Sequence, residues 1–208
     1  MSLYTPRHFT APASEDAVAL MRAYPFATLI TASAGEPSVS HVPLIWAPGG
    51  DWGELYGHLA KANPHWQQFA GGWTMALFHG PHAYISPSWY VQPEREVPTW
   101  NYATVHAHGQ PQLIEDRDDK LALIDRSVAL FEAHNTPPWT RALDGERLEA
   151  MLRSIVAFRM PIARVDAKFK MNQNRTAADR AQVVARLRNG SHPDLQAMAD
   201  WMQTHETR

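Results

Sequence analysis

From Phe26 to Ile114 apolar residues come in short β-branched runs or alternate with polar ones. From Asp116 to His134 they recur every three or four positions. The first pattern belongs to half-buried strands and the second to an amphipathic helix. Strands are therefore predicted at Phe26–Ala32 and Ser38–Trp46, joined by the turn Ser33-Ala34-Gly35-Glu36-Pro37, and at Glu54–Leu59. Further strands are predicted at Trp73–His79 and His82–Ile85, broken by Gly80-Pro81. Asn101–Gly109 and Pro111–Glu115 read as a hairpin about Gly109-Gln110. Helices are predicted at Ser14–Tyr24, Ala62–Phe69, Asp116–His134, Gly145–Arg153, Ala177–Leu187 and Pro193–Met202, with Pro25 closing the first. Ile155–Phe169 alternates again and reads as a late strand. A meander of short strands with helices set around it is an α+β fold, mainly β, of barrel or sandwich type.

Composition narrows this picture. A chain of 208 residues with 45% hydrophobic and 19% charged positions suits one domain, 1–208. Within it, 117–153 reads as a helical insertion before the last strand and 176–204 as a helical extension. The net charge of −2 leaves no whole-chain footprint for nucleic acid. The absence of cysteine excludes disulfides, thiolate catalysis and zinc–thiolate sites, and fits a reducing cytoplasm. The opening MSLYTPRHFTAPASED has no signal-peptide core, and no apolar run reaches the ~20 residues of a membrane helix. Eight Trp and eleven His point to surfaces both flat and polar.

Three constellations carry candidate chemistry. His106 and His108 share one face of a strand and could supply two metal ligands, but no third converges in sequence, and half-exposed strand residues are the plainer reading. His58 and Lys61 precede Asn63-Pro64, a good helix start whose free N–H groups could meet an anion; a plain helix start is the alternative. From Arg159 to Gly190 there are eight Lys or Arg and two acids, a stretch suited to phosphate or a heterocycle edge, or simply to solvent. No G-x-S-x-G elbow, Walker loop or G-x-G-x-x-G fingerprint occurs.

Longer motifs then succeed one another: Tyr4-x-Pro6-x-His8-Phe9, His41-Val42-Pro43, Gly57 to Trp66 (GHLAKANPHW), Gly80 to Tyr90 (GPHAYISPSWY), Val97 to Tyr102 (VPTWNY), and Lys168-Phe169-Lys170 with Gln173-Asn174-Arg175. Together they resemble the PaiB family of FMN-binding negative transcriptional regulators, over nearly the whole chain. Phe169 stands where that family more often has Trp, and Val91–Glu96 is shorter than its usual loop and lacks a Lys. The resemblance implies a six-stranded antiparallel split barrel with peripheral helices, related to pyridoxamine-phosphate oxidases. It further implies a homodimer with FMN at the subunit interface and a DNA or protein partner in regulation. The alternative is an FMN-dependent oxidoreductase acting on a small molecule, with no catalytic side chain assigned.

Under this resemblance, the chemistry of FMN assigns His58, Lys61 and the Asn63 helix start to the phosphate. Trp100, Asn101, Tyr102, Gln173, Asn174 and Arg175 go to the ring, Thr31, Ser40 and His41 to the strands flooring the groove, and Lys170, on the basic strand edge, to the cofactor's phosphate or ring edge. No metal is expected.

Overall fold

In the computed structural model, residues 3–11, 14–32 and 35–205 are described. Ser33 and Ala34 of the turn expected at 33–37 lie outside the described residues, as do both chain termini. Eight strands form: β1 Phe26–Ala32, β2 Ser38–Pro43, β3 Ile45–Ala47, β4 Glu54–Ala60, β5 Trp73–Ile85, β6 Thr99–Gly109, β7 Gln112–Ile114 and β8 Ile155–Lys170. Five α-helices accompany them: α1 Ser14–Ala23, α2 Arg117–Glu132, α3 Gly145–Arg153, α4 Ala177–Arg188 and α5 Pro193–Thr204. The strands order as β2-β1-β5-β6-β8-β4-β3, with β7 on β8. β3 and β7 are three-residue pieces, so six principal strands remain, as expected.

Three local expectations change. The strand expected over 38–46 divides at buried Leu44, whose N–H donates to the Pro25 carbonyl at 2.8 Å as the last rung beside β1, and from Ile45 the chain pairs with β4 instead. Gly80-Pro81 does not interrupt β5. Both residues are buried in succession, which shifts the alternation by one as a β-bulge does. The hairpin about Gly109-Gln110 does not form. β7 pairs with β8, Leu113 opposite Phe158, instead of folding back on β6. At Gly109 a Cβ would fall 2.3 Å from the Pro161 carbonyl oxygen, so glycine there permits close backbone approach to β8.

The chain divides into two compact units. Unit one comprises Met1–Tyr24, Phe78–His106 and Val165–Arg208. In it α4 packs on α5. Phe169 and Trp201 meet edge to face at 5.9 Å, and Trp201 meets Tyr24 in the same way at 6.1 Å. His205 closes the group, its Nε2 3.4 Å from Asp16 of α1 with both side chains buried.

Unit two comprises Pro25–Leu77 and Ala107–Arg164. β1 lies between β2 and β5 in antiparallel register, Thr28 opposite both His41 and Leu77. β2, at one end of the strand order, packs back against β4 near the other end, which curls the sheet of this unit. Asp116 caps α2 by accepting the Asp118 and Asp119 N–H groups. A buried cluster of Ile45, Leu123 and Ala157 seats this helix on the sheet.

Candidate functional site

Of the thirteen residues proposed from the sequence, six fall in unit two and seven in unit one. In unit two, Thr31, Ser40 and Asn63 come together around a fourth residue, His65. Its ring is 2% exposed, with Nδ1 2.8 Å from Ser40 Oγ and Nε2 2.8 Å from Thr31 Oγ1. Thr31 continues to Thr74 Oγ1 at 2.7 Å, and Asn63 Nδ2 donates to Ser40 Oγ at 3.0 Å. In a neutral imidazole one nitrogen donates and the other accepts, and the two hydroxyls turn to complement it. Burial pushes the His65 pKa down, which favours that neutral ring.

This network changes the reading of the Asn63 start. The helix is a single 3-10 stretch, Pro64–Gln68, and its His65 N–H is already taken by Asn63 Oδ1 at 3.0 Å. The expected anion site there loses that donor, because both halves of the Asn63 amide are spent inside the protein. His65 went unassigned in the sequence because nothing local marks it. Only its place between Pro64 and Trp66 in a long motif could have drawn attention to it.

The remaining unit-two residues separate. Ser40 and His41 are neighbours on β2 and face opposite ways, so they cannot floor one groove together. His41 is exposed, lies 3.1 Å from the Thr28 hydroxyl and stacks beside Phe26. His58 opens onto a cavity of about 450 Å³ whose lining is largely apolar, where burial lowers its pKa. That environment suits a neutral ring rather than a phosphate partner. Lys61 is exposed and lines a different groove of about 370 Å³ with Trp66, Lys120 and Arg153; Glu115 and Glu149 also line it, Glu149 paired with Arg117, so the groove keeps a surplus of cations able to take an anion.

In unit one, Trp100 is 53% exposed on β6, with Tyr84 edge-on at 6.0 Å and His82 at 6.3 Å. Asn101 points the other way. It is fully buried, with Nδ2 3.4 Å from Met202 Sδ and Oδ1 without a partner among the described residues. Tyr102 is half-buried, and Lys168 Nζ sits 5.5 Å from its ring and 5.5 Å from that of Tyr4 while donating to the Tyr4 carbonyl at 3.0 Å.

Lys170 donates to Thr99 Oγ1 and lies 5.9 Å from the Phe9 ring. Burial first, then the charges of Lys168 and Arg175, hold its pKa below the ordinary lysine range. No carboxylate pairs with it among the described residues.

The segment after β8 is braced rather than open. Asn172 takes a positive φ of 61° and donates to Tyr90 Oη at 3.1 Å. Gln173 spends its amide on the Met171 N–H and the Phe169 carbonyl. Arg175 pairs with Glu96 at 2.5 Å and covers the Tyr90 ring at 5.0 Å. Asn174 stays exposed. Asp179 anchors the short loop noted in the sequence by accepting the Val91 N–H at 2.9 Å. That bond and one from Thr176 hold its carboxyl below the usual range. His106 is half-buried and His108 buried, and both have partners. Among the described residues no three His, Asp or Glu converge as a metal site.

Unit two thus presents the Lys61 groove, and unit one presents the half-buried Lys170 ammonium and the exposed Trp100 face. A family model described as "Putative FMN-binding domain" matches residues 3–164. The chain is 33% identical over 204 residues to protease synthase and sporulation protein PAI 2 of Bacillus subtilis (strain 168), covering 97% of each. The fold is similar to that of the flavocytochrome Anf3 from Azotobacter vinelandii, with TM-score 0.59, 16% identity, and 80% of this chain and 72% of that one covered. It is equally similar to the FAD and heme binding protein from Mycobacterium smegmatis, with TM-score 0.59, 16% identity and coverages of 77% and 73%. At such identity these likenesses speak for the fold alone, the mainly antiparallel α+β split barrel expected above.

Proposed function

The chain belongs to the FMN-binding domain family of PaiB type, and from that premise we propose that it is a flavin-dependent regulator or sensor. It works in the cytoplasm as a homodimer with FMN at the subunit interface. The observation that carries the reading is Lys170. A half-buried ammonium beside Lys168 and Arg175, bonded only to a hydroxyl and facing no carboxylate among the described residues, is costly unless an acceptor on a ligand completes it, and the carbonyl edge of a flavin ring, which gathers negative charge on reduction, is such an acceptor.

Bound FMN supplies reversible uptake of electrons, and the protein supplies binding and electrostatics. Lys61 would hold the phosphate, with Lys120 and Arg153 adding charge to the same groove. Trp100 offers the ring an exposed aromatic face, and Tyr102 and Asn174 remain open to it. Thr31, Ser40 and Asn63 act indirectly by fixing the start of the 63–68 turn beside Lys61. Asn101, Gln173 and Arg175 shape their segments rather than reach a ligand.

The basic run of 159–190 supports a protein partner better than DNA. Arg159 pairs with Glu54, Arg175 with Glu96 and Arg188 with Asp200, and Lys168 is spent on a carbonyl. Those charges do not add up to one phosphate-tracking stripe.

The test is a flavin-fluorescence titration with FMN and with riboflavin. Saturable FMN binding is expected. Lys61→Ala should lose about tenfold or more for FMN and little for riboflavin, since a charged phosphate partner is worth roughly 1.5–3 kcal/mol. Equal losses would refute the phosphate assignment, and no FMN binding would overturn the whole reading. Sustained oxidation of NADPH by the purified protein would replace the regulator with an oxidoreductase, and a salt-dependent shift of its own promoter would replace the protein partner with DNA.

A further inference from the structure

We propose that unit two carries a second ligand site. The cavity of about 450 Å³ beside α2 and α3 takes an uncharged, mainly aromatic molecule bearing one hydroxyl or carbonyl, which His58 holds.

The size lies within the range of small-molecule pockets, ~300–1,000 Å³. The walls come from four places: Val128 and Phe131 of α2, Trp139 of the following segment, Met151 of α3, and Pro43 and Ile155 of the sheet. Phe131, Trp139 and Met151 are 40%, 52% and 51% exposed, so the mouth holds large apolar side chains in water. An apolar occupant would dry them, at about 25 cal/mol per Å² removed from solvent.

The polar inventory selects the chemistry of that occupant. Arg141 is committed to both carboxylate oxygens of Asp125, at 2.7 and 3.1 Å. Glu132 accepts from Asn135 and from the Trp139 N–H. The Ser127 and Ser154 hydroxyls donate to the carbonyls of Leu123 and Met151. Arg141 is thus neutralised by Asp125, and the Glu132 carboxylate keeps its charge with two N–H donors already on it, so an anionic ligand would be desolvated without compensation. His58 differs. It is half-buried, its ring has no hydrogen-bond partner among the described residues, and burial favours its neutral form, which can give or accept one hydrogen bond. One polar handle in an apolar cavity calls for one polar group on a neutral ligand.

Equilibrium dialysis of the full-length protein against 1-naphthol, and against naphthalene, which lacks the hydroxyl, tests this. One 1-naphthol per chain should bind saturably, about fivefold tighter than naphthalene, the worth of one hydrogen bond of ~1 kcal/mol. His58→Leu should erase that preference while leaving naphthalene binding in place. Met151→Trp at the exposed mouth should weaken both ligands about tenfold, with Val128→Phe as a second filling variant should the first misfold. Flavin titrations of both filling variants should match the parent, so failure of FMN binding and failure of this site are read separately. Three results would overturn the site: no saturable uptake, a naphthol preference that survives His58→Leu, or uptake unaffected by both filling variants. Uptake that falls as protein concentration rises would instead mark the cavity as a contact between copies and also overturn it.

Discussion

His65 of unit two and Lys170 of unit one are both nitrogen bases withdrawn from water, and they are handled in opposite ways. His65 is surrounded by hydroxyls at 2.8 Å on both ring nitrogens, and its neighbours Thr74 and Asn63 close the network. Lys170 has one hydroxyl, an aromatic ring nearby, and two further cations that push against it. A polar group whose partners are all internal holds a fold together. A cation left without a counter-charge is, on the function proposed above, the group that a ligand completes.

Substitutions sharpen that contrast. The largest effect on stability is expected for His65→Ala, which opens a cavity and leaves Ser40 and Thr31 each short of one partner. About 3 kcal/mol should be lost, read as a lower urea midpoint. A loss under about 1 kcal/mol would mean that the His65 network does not hold the fold. Lys170→Met should do the reverse. FMN affinity is expected to fall about thirtyfold, equivalent to ~2 kcal/mol, while the urea midpoint stays level or rises, because a desolvated ammonium has been removed. A large drop in stability with unchanged FMN binding would make Lys170 structural. Thr31→Val keeps the shape but strips the hydroxyl shared by His65 and Thr74, and should cost roughly 1–2 kcal/mol.

The smallest effect is on pH dependence. Burial holds His65 below its ordinary value of 6.5, so the unfolded chain takes up the proton first as pH falls. Stability is therefore full above 6.5 and declines as the pH drops through the window below it. His58 and His79 are displaced in the same direction by burial. His65→Gln should thus shallow the slope of stability against pH between 6.5 and the depressed pKa without flattening it. An unchanged slope would mean that His65 does not titrate across folding.

Much of the secondary structure was readable in advance, because strand and helix periods are local. Alternation located β1, β4 and β8, and three- and four-residue spacing located α2 to within a residue or two at each end. Lys61, Trp100 and Lys170, singled out by residue type, are exposed or half-exposed in the fold. The faces of individual residues were less so. Ser40 and His41 stand side by side in the sequence, yet only Ser40 turns inward, and Asn101 sits between Trp100 and Tyr102 while pointing into the core at Met202. Gln173 and Arg175 look available in a motif, but the carbonyl of Phe169 and the carboxylate of Glu96 claim them.

The sequence by itself determined the strand and helix periods, the cysteine-free chemistry and the family, since each depends on residues read in order. The tertiary structure alone decided which polar groups are spent and which are left to bind. It set His65 against Thr31 and Ser40, 34 and 25 positions away, and drew β7 to β8 instead of β6. The physical reason is that a hydrogen bond is settled by whatever partner folding brings within about 3 Å, and the spacing of residues along the chain does not encode that partner.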